Sequence, residues 1–172
     1  KHKIKNLSTK GLNTFLLPML QAWVLAAEKK YDEALKILDQ ETNNDGLKTL
    51  FSVHGALICE RAGRNQDAIK RYQLALKLRE NPNLRITILL GNLYERMGIY
   101  GKATELYNKF KSERPNTTLL SSAYQRIKFK KKPAPLHASA KDGVAEALFS
   151  LASAIQTQNP FQTLIYGRLA SY

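Results

Sequence analysis

Leu90-Gly91-Asn92-Leu93-Tyr94, followed by Gly98-Ile99-Tyr100-Gly101-Lys102-Ala103 and then Tyr107 and Pro115, is the stretch on which the fold turns. Two earlier segments share its composition: Gly63-Arg64-Asn65-Gln66-Asp67-Ala68 and Lys29-Lys30-Tyr31-Asp32-Glu33-Ala34. The alanines that close these segments, Ala34, Ala68 and Ala103, lie 34 and 35 residues apart. Four residues after each alanine stands Leu38, Tyr72 or Tyr107, and twelve residues before it stands Ala22, Ala56 or Gly91. Three residues beyond each of those comes Leu25, Cys59 or Tyr94. A unit of this length holds two helices of about a dozen residues and two short turns. The small residue and the alanine let the paired helices approach closely, and the large residues fill the space around the crossing. A lone hairpin cannot bury both faces, so neighbouring hairpins must stack.

These columns resemble the tetratricopeptide repeat, whose Leu-Gly-x-x-Tyr, Ala-x-x-x-Phe and Pro positions fall at this spacing. The third unit matches best and departs at Thr87, where an aromatic usually stands. The second keeps Ala56, Gly63, Ala68, Tyr72 and Ala75, but has Glu80 in the proline column, with Pro82 two residues later. The first keeps Ala22, Tyr31 and Ala34, with Gly46 in that column. The resemblance implies an all-α solenoid of stacked antiparallel hairpins, a right-handed superhelix. Gly11–Leu25 and Ala145–Phe149 also resemble a group of bacterial multi-repeat proteins of the cell envelope. That likeness implies a bacterial origin, a periplasmic location with the cytoplasm as alternative, and further repeats on both sides. The chain opens on Lys1 and reads as a piece of a longer protein.

Helix signals agree with the period. Thr14 is the expected cap of a first helix ending near Glu28, with Pro18 near its first turn. Asp32 opens the second helix, and Asn43-Asn44-Asp45-Gly46 ends it. A third covers about Leu47–Arg61, and Asn65 is the expected cap of the fourth. Asn81-Pro82-Asn83 is a turn before a fifth helix over about Leu84–Met97. A sixth covers Gly101–Glu113 and a seventh about Thr117–Lys128. The domain reading is a basic segment over 1–14, three hairpins plus an extra helix over 15–128, and a basic proline-containing linker over 129–139. A degenerate fourth hairpin follows over 140–172, broken at Asn159-Pro160, with Ala145, Leu148, Leu151, Ala152 and Ile155 at helical spacing.

Composition is that of an ordinary globular chain, 44% hydrophobic and 24% charged. The net charge of +13 is concentrated. Lys1, Lys3, Lys5 and Lys10 at one end, and Arg126, Lys128, Lys130, Lys131, Lys132 and Lys141 near the other, have no acid among them. No run approaches the ~20 apolar residues of a membrane span. The single cysteine, Cys59, excludes an internal disulfide and a multi-cysteine metal site. It occupies a packing column, which reads as core with a reactive thiol as the alternative. His2, His54 and His137 are too far apart in sequence for short-range zinc pairing. His54, beside a small-residue column, reads as structural or groove-facing. No nucleophile-elbow, phosphate-loop or dinucleotide glycine motif is present. No catalytic, cofactor or metal residue is therefore assigned.

The family resemblance implies that the first helix of each hairpin lines a concave groove that takes a peptide or protein partner. Carried over, the inward columns are Leu16, Met19, Trp23 and Ala26, then Leu50, Val53, Leu57 and Glu60, then Arg85, Ile88, Asn92 and Glu95. Met19 and Trp23 stand where some relatives carry a lysine–asparagine clamp for acidic carboxyl termini, so that clamp is missing. Trp23 is either a core aromatic or a stacking anchor. The Arg126, Lys128, Lys130, Lys131, Lys132 run reads as a solvated loop, with nucleic acid or an acidic lipid or protein surface as alternatives over 126–141. The reading is a non-catalytic interaction scaffold. Its alternatives are a nucleic-acid or acidic-surface binder and the docking arm of an enzyme lying outside these residues. The last hairpin has an uncovered outer face, which predicts self-association or a longer array.

Overall fold

The computed structural model describes residues 13–41, 47–78, 83–155 and 160–171. The described residues are helical and contain no strand. In order come α1 (Asn13–Ala27), α2 (Tyr31–Gln40), α3 (Lys48–Arg61), α4 (Asn65–Lys77) and α5 (Leu84–Arg96). They continue with α6 (Tyr100–Glu113), α7 (Ser121–Lys128), α8 (Ala140–Ile155) and α9 (Pro160–Ala170). Consecutive helices pack as hairpins, α1 with α2, α3 with α4 and α5 with α6, and each hairpin stacks on the next. The all-α solenoid expected from the period is the fold observed.

The columns account for the packing. Ala22, Ala34, Ala56, Ala68 and Ala103 are fully buried, as are Leu38, Tyr72 and Tyr107 to within 1%. A Cβ on Gly91 would come within 2.1 Å of the Tyr107 hydroxyl, so only glycine fits where α5 crosses α6. Thr87, in the column that usually holds an aromatic, is buried as well.

The turns inside the hairpins are built alike. Lys29, Gly63 and Gly98 take left-handed φ values of 63°, 73° and 74°. In each, the following amide reaches back five residues: Lys30 to the Leu25 carbonyl, Arg64 to Cys59 and Ile99 to Tyr94, at 2.9, 2.8 and 2.9 Å. This is the glycine-type helix stop. It also explains a difference at α4. Asn65 is the first residue of that helix, not its cap, because the turn delivers the chain through Arg64 without a side-chain cap. Asn83, by contrast, caps α5 by accepting from the Ile86 amide at 3.1 Å. Pro18 lies inside α1, past its first turn. The expected stops at 43–46, 81–82 and 159 lie outside the described residues, as does the basic segment through residue 12.

The end of α7 repeats the turn, with Lys130 at φ 50° and the Lys131 amide bonded to the Arg126 carbonyl. No partner helix follows, because Pro133 and Pro135 supply no amide donor and clash with a preceding turn. Residues 131–139 instead carry no regular secondary structure. Ser139 and Asp142 then start α8 with a reciprocal cap: the Asp142 amide donates to Ser139 Oγ at 3.2 Å, and the Ser139 amide to Asp142 Oδ2 at 2.7 Å. Helices α8 and α9 form a hairpin, and α8 lies against α1 and α3. The fourth hairpin thus folds back onto the first helices of the first two units.

Candidate functional site: the concave face and its cover

In an open solenoid the first helix of each hairpin shows one face to the groove. Here Phe51 through Cys59 on α3 are all buried, and so are Leu89 through Glu95 on α5. An unbroken run of buried residues means that a helix is covered on every side. The cover is the chain itself.

The path of residues 130–146 is fixed by donors that span the array. Tyr100 donates its hydroxyl to the Lys130 carbonyl at 2.8 Å. Asn92 Nδ2 donates to the Ala134 carbonyl at 3.1 Å, and Arg61 Nη1 to the Ala138 carbonyl at 2.8 Å. Arg85 grips Glu146 with two bonds, Nε to Oε1 at 2.9 Å and Nη2 to Oε2 at 2.5 Å. His137 Nε2 lies 3.2 Å from the same Oε2. Burial alone would raise the Glu146 carboxyl, but the bonds from His137 and Arg85 outweigh it and hold its pKa at about 2. A planar guanidinium meeting a carboxylate with two parallel bonds is among the stronger side-chain pairings.

Closer to α1 the cover is apolar. Gly143 faces the indole of Trp23, and Ala147 and Leu148 join the same buried cluster as Leu16, Met19 and Trp23. Trp23 Nε1 donates to His54 Nδ1 at 3.1 Å. Burial pushes His54 down to a pKa of about 4, so the ring is neutral with its proton on Nε2. Trp23 is 1% exposed and Met19 fully buried.

The predicted inward residues therefore divide. Met19, Trp23, Val53 and Leu57 are buried in the core, with Trp23 directly beneath α8, and Ile88 is partly buried. Arg85 and Asn92 meet the covering segment directly. Glu60 and Glu95 instead hold the repeats together. Tyr72 donates to Glu60 at 2.6 Å, and Arg96 of the next unit pairs with the same carboxylate. One repeat on, Tyr107 donates to Glu95 at 2.7 Å, and Arg126 binds both of its oxygens at 2.7 and 3.0 Å. Burial raises the Glu60 carboxyl against the pull of Tyr72 and Arg96, and burial together with Glu95 raises the Tyr107 hydroxyl. Arg126 is thus committed to Glu95, while Lys128, Lys130, Lys131 and Lys132 are exposed. Cys59 is buried, and that burial raises its thiol.

In the first unit the Glu–Tyr pair is replaced by Ala26 and Leu38. Arg61, in register with Arg96, has no carboxylate partner among the described residues. Its Nη1 turns to the Ala138 carbonyl, and its Nε is buried without a hydrogen-bond partner. The replacement of that glutamate by Ala26 was visible in the sequence. So were the capping pattern Ser139-x-x-Asp142 and the absence of any charge from Phe15 to Ala27, which marks a helix needing cover on all sides.

Stacked antiparallel hairpins with small-residue crossings and a period of 34–35 residues define a helical-repeat solenoid. The tetratricopeptide repeat family model matches residues 56–86, from the middle of α3 through α4 into α5, and the structure is consistent with a tetratricopeptide-like repeat protein. Repeats of this family generally mediate protein–protein interaction. No curated protein and no solved structure gave a match to the chain. No described helix is long and apolar enough to cross a membrane, and no cluster of metal-ligating side chains occurs among the described residues.

Proposed function

We propose that the chain is an interaction scaffold that takes a peptide segment of a partner protein on its concave face, between α1, α3 and α5. The observation that supports this is the way the face holds residues 134–146. Asn92 and Arg61 donate to main-chain carbonyls, and Arg85 takes a carboxylate. Side-chain donors aimed at main-chain acceptors, with a cation for one acidic side chain, are how a groove reads an extended peptide. Trp23 serves as the apolar floor of the groove, and Glu60 and Glu95 set its curvature through the Tyr–Glu–Arg links between repeats. A photo-crosslinking residue placed at Phe149, beside the open cleft at Arg85, Leu136 and Glu146, should trap the partner. Arg85→Ala with Asn92→Ala should abolish that product in a folded protein, while the convex-face change Asp39→Ala leaves it intact. Equal crosslinking by all three proteins would refute the groove as the site.

A further inference from the structure

The groove holds two arginines with unequal partners, and this asymmetry says what its ligand carries. Arg85 is matched by Glu146, two bonds to one carboxylate. Arg61 is met by a neutral carbonyl alone, with its Nε buried and unpaired. The arginines farther along the array do not share this deficit, since Arg96, in register with Arg61, has Glu60 and Arg126 of α7 has Glu95. Only in the first unit does alanine, Ala26, replace the glutamate. Arg61 as a whole is only partly buried, but its buried Nε is cut off from any acceptor, which is costly, so the covering segment satisfies this groove incompletely. His137 Nδ1 and His54 Nε2 are likewise buried without partners at the same place.

The stretch of the cover before α8 is lightly held. Lys131, Lys132, Ala134, Pro135, Leu136, Ala138 and Ser139 are exposed, and a segment with few buried apolar contacts opens at low cost, whereas Gly143, Glu146, Ala147 and Leu148 of α8 are buried and leave only after it. An open cleft at Arg85, Leu136, Asp142, Glu146 and Phe149 gives a competing chain a place to begin. We infer that residues 133–148 are a built-in, displaceable occupant of the groove. The partner segment that replaces them is an extended, proline-containing stretch leading into a helix, and it bears two carboxylates, one for Arg85 and a second for Arg61. This inference rests on the groove-binding reading and adds the chemistry of the ligand. The net charge of +13 on the chain favours an acidic partner over a basic one.

The test uses the full chain and two synthetic fluorescent peptides, one with the native sequence of residues 132–150 and one carrying Ala138→Asp. Binding is read by anisotropy to wild type, to Gly143→Leu, and to Gly143→Leu with Arg61→Gln. Gly143→Leu displaces α8 from Trp23; if circular dichroism shows it unfolded, Glu146→Lys, which repels Arg85, takes its place. We expect the opened protein to bind the native peptide at least about tenfold more tightly than wild type, and the Ala138→Asp peptide about tenfold more tightly again, with Arg61→Gln erasing the second gain. Equal affinity of wild type and both opened variants would overturn the displaceable cover. A gain from Ala138→Asp that survives Arg61→Gln, or no gain, would overturn the second carboxylate. A wild-type dimer in light scattering that gains peptide binding on dilution would assign the groove to a second copy and overturn the partner-segment reading. If the peptides fail while Arg85→Ala with Asn92→Ala still loses the crosslinked partner, this inference falls and the proposed function stands.

Discussion

Gly143 and Trp23 are in face contact: a Cβ built on Gly143 would lie 2.2 Å from Cη2 and Cζ2 of the indole. The two residues belong to α8 and α1, at opposite ends of the described chain. Their contact turns an expected open groove into a covered one.

Gly143→Ala should destabilise the protein, against the direction set by helix propensity. Alanine inside a helix gains ~1 kcal/mol over glycine, but overpacking a filled contact costs ~1–3 kcal/mol. The indole cannot retreat, because Trp23 is 1% exposed and tied to His54. Urea unfolding should show a net loss of ~1–2 kcal/mol; a net gain would mean that α8 does not rest on Trp23.

The link between repeats makes Glu95→Ala severe. Glu95 is fully buried and serves Tyr107 and Arg126 together. Removing one partner of a buried pair costs ~3–5 kcal/mol. Tyr107→Phe, which removes one bond to a charged acceptor, should cost ~1.5–3 kcal/mol. Chemical denaturation of both variants checks the order, and an equal loss would place the load on the tyrosine ring instead of the carboxylate.

Acid should loosen the cover in two stages. The His54 pKa is depressed from 6.5 to about 4, so between these values the unfolded state binds the extra proton and stability falls as pH drops. Protonating Nδ1 also ends its role as acceptor for Trp23. The Glu146 pKa is depressed from 4.5 to about 2. Its contribution is present above pH 4.5 and is lost as pH falls through about 2. Melting temperature against pH should therefore decline first below about 6.5 and again below about 4.5. His54→Asn should remove the first decline and leave the second; an unchanged first decline would assign it to another group.

Lys29→Gly should stabilise the first hairpin. Lys29 stands at φ 63°, where its counterparts are Gly63 and Gly98. A side chain there costs ~1–2 kcal/mol, offset in part by the greater backbone entropy that glycine loses. A rise of a few degrees in melting temperature is expected for a gain of ~1 kcal/mol, and a fall would show that the Lys29 side chain contributes more than its backbone costs.

The hairpins were legible because their signals are local and periodic. Ala34, Ala68 and Ala103 recur in phase, and Gly63 and Gly98 mark turns that only a left-handed residue can make. Lys29 and Lys130 take the same conformation without a glycine to announce it, so their turns show only in the backbone. The cover was not legible as such. It depends on Arg85 meeting Glu146 across 61 residues, a pairing no spacing rule reaches. Its traces in the sequence were indirect: the uncharged stretch Phe15–Ala27, the cap Ser139-x-x-Asp142, and Ala26 in the glutamate column. Glu60 and Glu95 read as groove residues because they stand on the inward columns, but their carboxylates turn along the array, where Arg96 and Arg126 of the neighbouring units lie.

The central claim is that α8 seats on α1 and closes the groove, and Trp23 is the only tryptophan in the chain. Acrylamide quenching of its emission, compared between wild type and Gly143→Leu with circular dichroism confirming that both are helical, tests the claim most directly. The account predicts blue-shifted, weakly quenched emission in wild type and red-shifted, several-fold more quenchable emission in the variant. Readily quenched wild-type emission, or the same buried emission from both proteins, would contradict it.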